Sequence, residues 1–263
     1  MSRGSKPSCG APRYGDALDL QQISLRVTKN GAERALVVGG VGSGKSTLAD
    51  YLGTDFTRRY TKSRRLIADT KPRYRAEVTV QGRKAKHLYK KWGHGQAVPG
   101  SVLVYEPEDL ALAWDLGYRV AIVQGESMAD LVRVLDVCEM FFRQANAKVP
   151  SLLQVDETCD FFSANGYPKG GSDVMIRVAR AGRERGLGGL YCSQRTRAIP
   201  VSIIEEMERL YLFRLDAAGD IKRLEEMGAP VTVDDMPREE HAFMYWRKRG
   251  GYDDLYGPYR LAL

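Results

Sequence analysis

The sequence predicts an α/β fold: a mostly parallel sheet flanked by helices on both faces. Three observations predict it. Short apolar runs rich in β-branched residues alternate with segments of helical apolar spacing along most of the chain. A glycine-rich loop stands between one such run and one such helix. A later apolar run delivers two adjacent carboxylates at its end.

The elements follow in order. Asp19 to Val27 reads as a strand that passes through the turn Lys29-Asn30-Gly31 into the apolar run Arg34-Ala35-Leu36-Val37-Val38. A helix is expected over about 46–60, because Ser46 and Thr47 are followed by apolar residues at helical spacing. Arg65 to Asp69 reads as a buried strand ending in an acid. Residues 73–98 break the alternation and read as an insertion. Within it, Ala76 to Arg83 alternates like an exposed strand, and Lys84 to Gln96 mixes bases with His87, Tyr89, Trp92 and His94. Ser101 to Tyr105 and Arg119 to Gln124 are further strands, with a helix from Pro107 to Leu116 between them. Met128 to Ala145 carries apolar residues at 128, 131, 132, 135, 138, 141, 142 and 145, a strongly amphipathic helix. Leu152 to Val155 is the next strand, followed by a helix over about 172–185, the strand Gly189 to Ser193, a helix near 201–208 and the strand Arg209 to Leu215. The segment from His241 to Leu263 reads as a terminal strand and hairpin.

The glycine-rich loop is the most informative segment. Gly39, Gly40, Val41, Gly42, Ser43, Gly44, Lys45, Ser46 and Thr47 fit the pattern G-x-x-x-x-G-K-[ST]. Glycines tolerate positive φ and let backbone N–H groups approach phosphates, and the helix N-terminus adds partial positive charge. Lys45 reaches the β- and γ-phosphates and Ser46 ligates Mg²⁺, so the expected cofactors are ATP and Mg²⁺.

Bulk composition narrows the classes. A chain of 263 residues with 43% hydrophobic content can bury a sizeable core without staples. Cys9, Cys138, Cys159 and Cys192 form no C-x-x-C pair, which argues against a structural zinc site and fits a reducing, cytoplasmic setting. No apolar run is long enough for a membrane span, and the first residues lack the apolar block of a signal peptide. Residues 1–15 are expected to be a flexible basic arm, with 16–263 a single domain. The total charge is +7, yet thirteen Lys/Arg against two acids between Arg58 and Lys91 give that segment +11, leaving −4 elsewhere. Such asymmetry suits a face for a polyanion, with Arg83, Lys84 and Lys86 as candidate nucleic-acid contacts. A solvated charge run is the alternative.

The acidic strand end supplies the chemistry. Asp156 is expected in the Mg²⁺ shell, and Glu157 is placed to polarise the water that attacks the γ-phosphate. Gln194, at the end of the following strand, can bond that water or the γ-phosphate. Arg177, Arg180, Arg183 and Arg185 are expected on one helix before that strand, where they are either arginines offered to a neighbouring subunit's triphosphate or a solvated basic face.

Here the chain resembles the FtsK/HerA group of P-loop motor ATPases, which includes DNA translocases and viral genome-packaging ATPases. The resemblance spans about residues 32–246. It rests on the phosphate loop, Asp69-Thr70-Lys71-Pro72, Val155-Asp156-Glu157 and the block VARAGRERGLGGLYCSQR, followed by Pro200 and Phe213-Arg214. Ser193 replaces the family's usual Thr, Thr196 stands where Pro is common, and 73–118 offers little to match. The resemblance implies a RecA-like P-loop NTPase that assembles as a homo-pentamer or homo-hexamer ring, hydrolyses ATP at subunit interfaces and pulls double-stranded DNA through its centre. By motif position Asp156 assists the metal, Glu157 is the base and Gln194 the sensor. Arg183 is the first candidate finger, with Arg180 and Arg185 as alternatives. The segment Thr158 to Asp173 is expected to face the pore, with Lys169 and Asn165 contacting phosphates.

The leading expectation is a viral genome-packaging motor, located in the host cytoplasm or with the virion and partnered by a capsid portal or vertex protein. It follows from the absence of the anchor, linker and winged-helix tail expected of cell-division translocases. The competing readings are an ATPase of DNA transfer, secretion or filamentous-phage assembly, and a P-loop kinase.

Overall fold

The computed structural model describes residues 23–28, 31–76, 78–81, 84–87, 96–162, 171–249 and 252–260. Fifteen strands are present among them: β1 (Val27–Thr28), β2 (Gly31–Ala32), β3 (Ala35–Val38), β4 (Arg64–Asp69), β5 (Tyr74–Arg75), β6 (Val78–Gln81), β7 (Lys84–His87), β8 (Gln96–Ala97), β9 (Ser101–Val104), β10 (Val120–Gln124), β11 (Ser151–Val155), β12 (Leu187–Ser193), β13 (Arg209–Phe213), β14 (Ala242–Arg249) and β15 (Tyr252–Arg260). The α-helices are α1 (Lys45–Arg59), α2 (Pro107–Asp115), α3 (Met128–Gln144), α4 (Gly171–Ala181), α5 (Val201–Ile204) and α6 (Ala218–Glu226).

Eleven strands form one sheet in the order β15-β14-β13-β3-β12-β11-β4-β10-β9-β6-β7. The run from β13 to β6 is parallel throughout, while β14, β15 and β7 are antiparallel to their neighbours. Parallel strands need cover on both faces, and alternation along the strands supplies it. Leu36 and Val38 of β3 join Leu110, Val134, Phe141, Val178 and Leu224 on one face. Ala35 and Val37 meet Leu48, Leu52 and Phe56 of α1 on the other. The helices start where their sequence allows: Ser127 and Asp130 close a capping box on α3, and Glu106 and Asp109 close one on α2, with Pro107 in its first turn.

Several expectations are corrected. Among the described residues, strand structure in the Asp19–Val27 segment is confined to Val27, where β1 pairs with β2 to make a short hairpin before β3. β6 is not an exposed strand: Val78, Thr79 and Val80 are buried, because β6 pairs in parallel with β9 and so enters the sheet. The helix expected over 172–185 ends at Ala181. Gly182 N–H bonds Val178 O, and Leu187 N–H turns back to Gly182 O. A Cβ at residue 182 would stand 2.4 Å from Val178 O, so the tight turn requires glycine. Arg183–Arg185 therefore form a separate 3₁₀ turn, and the four arginines do not share one helix. The helix near 201–208 is short, Val201–Ile204, and α6 arises in a stretch for which no element was expected. The 1–15 arm lies outside the described residues.

Candidate functional site

The site forms where parallel strands end together. β3 releases the phosphate loop, its neighbour β12 releases Gln194, the next strand β11 releases Asp156 and Glu157, and β4 beyond it ends in Asp69. One strand thus separates the loop strand from the acid strand, and that strand carries the amide. Register reinforces the convergence: Val38 pairs with Ser193, and Val155 with both Tyr191 and Ala68.

Local packing dictates the loop. At Gly39 a Cβ would lie 2.4 Å from Phe213 Cβ and 2.8 Å from Ser43 Oγ, so the chain approaches β13 more closely than any side chain permits. Gly44 adopts φ 101 at the start of α1, the left-handed region that glycine enters without strain. Gly40 N–H bonds Arg214 O at 3.0 Å, which ties the loop to the end of β13. Val41 at the loop tip is 85% exposed, and Thr47 is exposed on α1. Lys45 folds over the loop, its Nζ donating to Gly40 O at 2.7 Å. Burial lowers the Lys45 pKa, against the opposing pull of Glu157. Beside the loop, a cleft of about 250 Å³ is lined by Gly40 to Ser43, Arg214, Asp216 and residues Arg238 to Ala242.

The two acids differ in environment. Ser46 Oγ donates to Asp156 Oδ1 at 3.0 Å, while Asp156 Oδ2 is buried, accepts no hydrogen bond and lies 3.4 Å from Arg73 Nη1. Burial raises the Asp156 pKa, and Arg73 opposes that shift. Glu157 is gripped from several sides. Gln194 Nε2 donates to Oε2 at 2.7 Å, Gln194 N–H to Oε1 at 3.1 Å and the Cys159 thiol to Oε1 at 3.0 Å, with Lys71 Nζ 3.7 Å from Oε2. Burial and the Glu157 carboxylate push the Cys159 pKa up to about 12, so the thiol stays protonated and donates.

Mg²⁺ fits these residues. The Ser46 hydroxyl and the Asp156 carboxylate are hard oxygen donors in contact, and Asp156 Oδ2 is a buried oxygen without a donor. Among the described residues no cluster of three or more His, Cys, Asp or Glu could hold a metal alone, so phosphate and water oxygens would complete the shell.

Other candidates lie elsewhere. Arg183 sits before the N-terminal end of β12, beside a cleft of about 400 Å³, with Nη2 3.4 Å from Glu208 Oε1. The seven residues of β12 separate it from Gln194 by about 20 Å, so it lies far from the phosphate site of its own chain. Arg185 stacks over the Phe142 ring at 4.9 Å, and Arg180 is exposed near the end of α4. Lys84 and Lys86 belong to the edge strand β7. Arg83, Asn165 and Lys169 lie outside the described residues.

Sequence reasoning missed Lys71, Arg73 and Cys159 as site residues. The signal for the first two was present: Lys71 and Arg73 stand shortly after Asp69, the acid that ends β4. Asp69 holds that segment, its Oδ2 accepting from Arg73 N at 2.7 Å, Tyr74 N at 3.0 Å and Gln124 Nε2 at 3.0 Å. Burial nevertheless raises the Asp69 pKa to about 6.

No protein-family model matches the chain, and no curated sequence matches it. Solved structures do. The chain is similar to the genome-packaging NTPase B204 of Sulfolobus turreted icosahedral virus 2 in complex with AMPPCP, at 12% identity and TM-score 0.57, over 88% of this chain and 100% of that one. It is similar to B204, the DNA-packaging ATPase of Sulfolobus turreted icosahedral virus, at 13% identity and TM-score 0.57, over 87% and 98%. A third likeness, at 13% identity and TM-score 0.51, is to the cytoplasmic domain of the type VII secretion ATPase EccC of Thermomonospora curvata. It spans 87% of this chain and 25% of that one. The fold is that of RecA-like P-loop NTPases.

Proposed function

We propose that this chain is an ATP-hydrolysing, Mg²⁺-dependent P-loop motor of the FtsK/HerA type that moves double-stranded DNA as a homo-oligomeric ring, with viral genome packaging as its setting. The observation that carries the reading is the pairing of Glu157 with Gln194 beside the contact of Asp156 with Ser46. These contacts support reading Glu157 as the base, Gln194 as the sensor and Ser46 with Asp156 as the metal-binding pair.

Lys45 and the loop N–H groups bind the triphosphate, and the adjoining cleft has room for the nucleoside. Ser46 and Asp156 would hold Mg²⁺, which would supply positive charge against the triphosphate. Glu157 takes a proton from the attacking water once Gln194 releases it, and Gln194 reports the γ-phosphate to the end of β12. Arg183, at the opposite end of the sheet, serves a neighbouring subunit's nucleotide, with Arg180 and Arg185 as the other candidates. Support for the packaging role comes from the likeness to the B204 genome-packaging NTPases, and support for DNA as partner from the basic segment that includes Lys84 and Lys86 on β7. Cytoplasmic or virion-associated location and a portal or vertex partner belong to the same reading.

The test is ATP turnover with and without duplex DNA. Stimulation is expected, and neutralising Arg83, Lys84 and Lys86 together should weaken DNA binding and reduce its salt slope by about one per lost phosphate contact. An intact oligomer whose turnover ignores DNA would contradict the translocase reading.

A further inference from the structure

Arg73 lies in the basic segment, yet its guanidinium points at the phosphate site. Nη1 donates to Ser46 Oγ at 2.7 Å and stands 3.4 Å from Asp156 Oδ2. These are the two side chains proposed above to hold Mg²⁺, so the guanidinium spans the pair a divalent cation would use. The backbone beneath it is fixed. Asp69 Oδ2 accepts from the N–H groups of both Arg73 and Tyr74. Tyr74 is buried, and its hydroxyl accepts from Gln154 Nε2 at 3.0 Å in the core. Only the Arg73 side chain, 41% exposed, is left to swing outward.

Two cations cannot share Ser46 and Asp156 at contact distance, because like charges a few ångströms apart repel strongly in a partly desolvated site. We propose that Arg73 is a resident cation of the metal position: it neutralises Asp156 and holds Ser46 while the site lacks Mg²⁺, and yields when Mg²⁺ enters with the nucleotide. This rests on the ATPase reading. Its consequence is that Arg73 and Mg²⁺ are alternatives. Without metal, removing Arg73 leaves a bare carboxylate facing the triphosphate. With metal, the guanidinium has already been displaced and its removal costs nothing.

The experiment titrates ATP into the full chain by calorimetry, in EDTA and in excess Mg²⁺, for wild type, Arg73→Gln and Arg73→Lys. Arg73→Gln should bind ATP about tenfold or more weakly in EDTA, yet within about twofold of wild type, or more tightly, in Mg²⁺. Arg73→Lys, which keeps the charge, should recover most of the EDTA affinity. An equal loss in both buffers, a loss confined to Mg²⁺, or no change in either would overturn the proposal, as would wild type that binds ATP only with Mg²⁺. Wild type that binds no ATP in either buffer would overturn the ATPase reading itself, and this inference with it.

Discussion

Gln194 holds Glu157 at both carboxylate oxygens, its side-chain amide 2.7 Å from Oε2 and its backbone N–H 3.1 Å from Oε1. These bonds take up part of the acceptor capacity that Glu157, proposed above as the base, would offer to water, so the contact is expected to loosen for hydrolysis. Gln194→Ala should leave ATP binding near wild type. It should lower turnover roughly 10- to 100-fold, because the proposed sensor is lost together with one hydrogen bond that positions the proposed base. Equilibrium ATP binding measured beside phosphate release separates the two effects.

Lys45 is the main positive charge on the loop, and its Nζ donates to Gly40 O. Lys45→Ala should weaken ATP binding about 100-fold or more, through loss of a charge-assisted contact in a partly buried site. Thermal stability should change little, since the Nζ contact is to a loop carbonyl rather than to the core. Calorimetry with ATP and a melting curve check both halves.

Arg183 stands about 20 Å from its own chain's Gln194, at the far end of the seven-residue β12. On the ring reading proposed above, Arg183→Ala should spare ATP binding and cut turnover by on the order of 10³ through the neighbouring subunit's site. Mixing it with Glu157→Gln should restore some activity, because some interfaces then combine an intact base with an intact arginine. Absence of restoration at every mixing ratio would place the finger elsewhere.

Asp69 titrates against its burial. Its folded pKa is raised from the ordinary 3.8 to about 6, so between these values the folded state binds the extra proton. This group's contribution to stability therefore falls as pH rises from about 4 to about 6, by on the order of 2–3 kcal/mol at most. Asp69→Asn, which keeps an acceptor for Arg73 and Tyr74, should lack that dependence. Urea unfolding of both proteins across the window shows it as a difference that changes with pH and then levels off.

Much of this arrangement was legible in the residues. The phosphate loop carries its own geometry, because Gly39 and Gly44 are demanded by packing and φ, and the strand ending in Asp156-Glu157 announces itself by burial. The terminal hairpin also follows from pattern. Other features depend on contacts that no local pattern encodes. β6 alternates like a surface strand, yet pairing with β9 buries it. The break at Gly182 is set by the carbonyls of Val178 and Leu187, not by helix propensity alone. Arg73 reads as one base among thirteen in its segment. Only the turn held by Asp69 carries its side chain back to Ser46.

The most direct test compares wild type with Glu157→Gln for ATP retention and phosphate release in the same preparation. Wild type should bind ATP and release phosphate, while Glu157→Gln should bind ATP at least as well and release phosphate slower by about 10²-fold or more. Equal release rates would contradict the assignment of Glu157 as the base, and with it the account of the site.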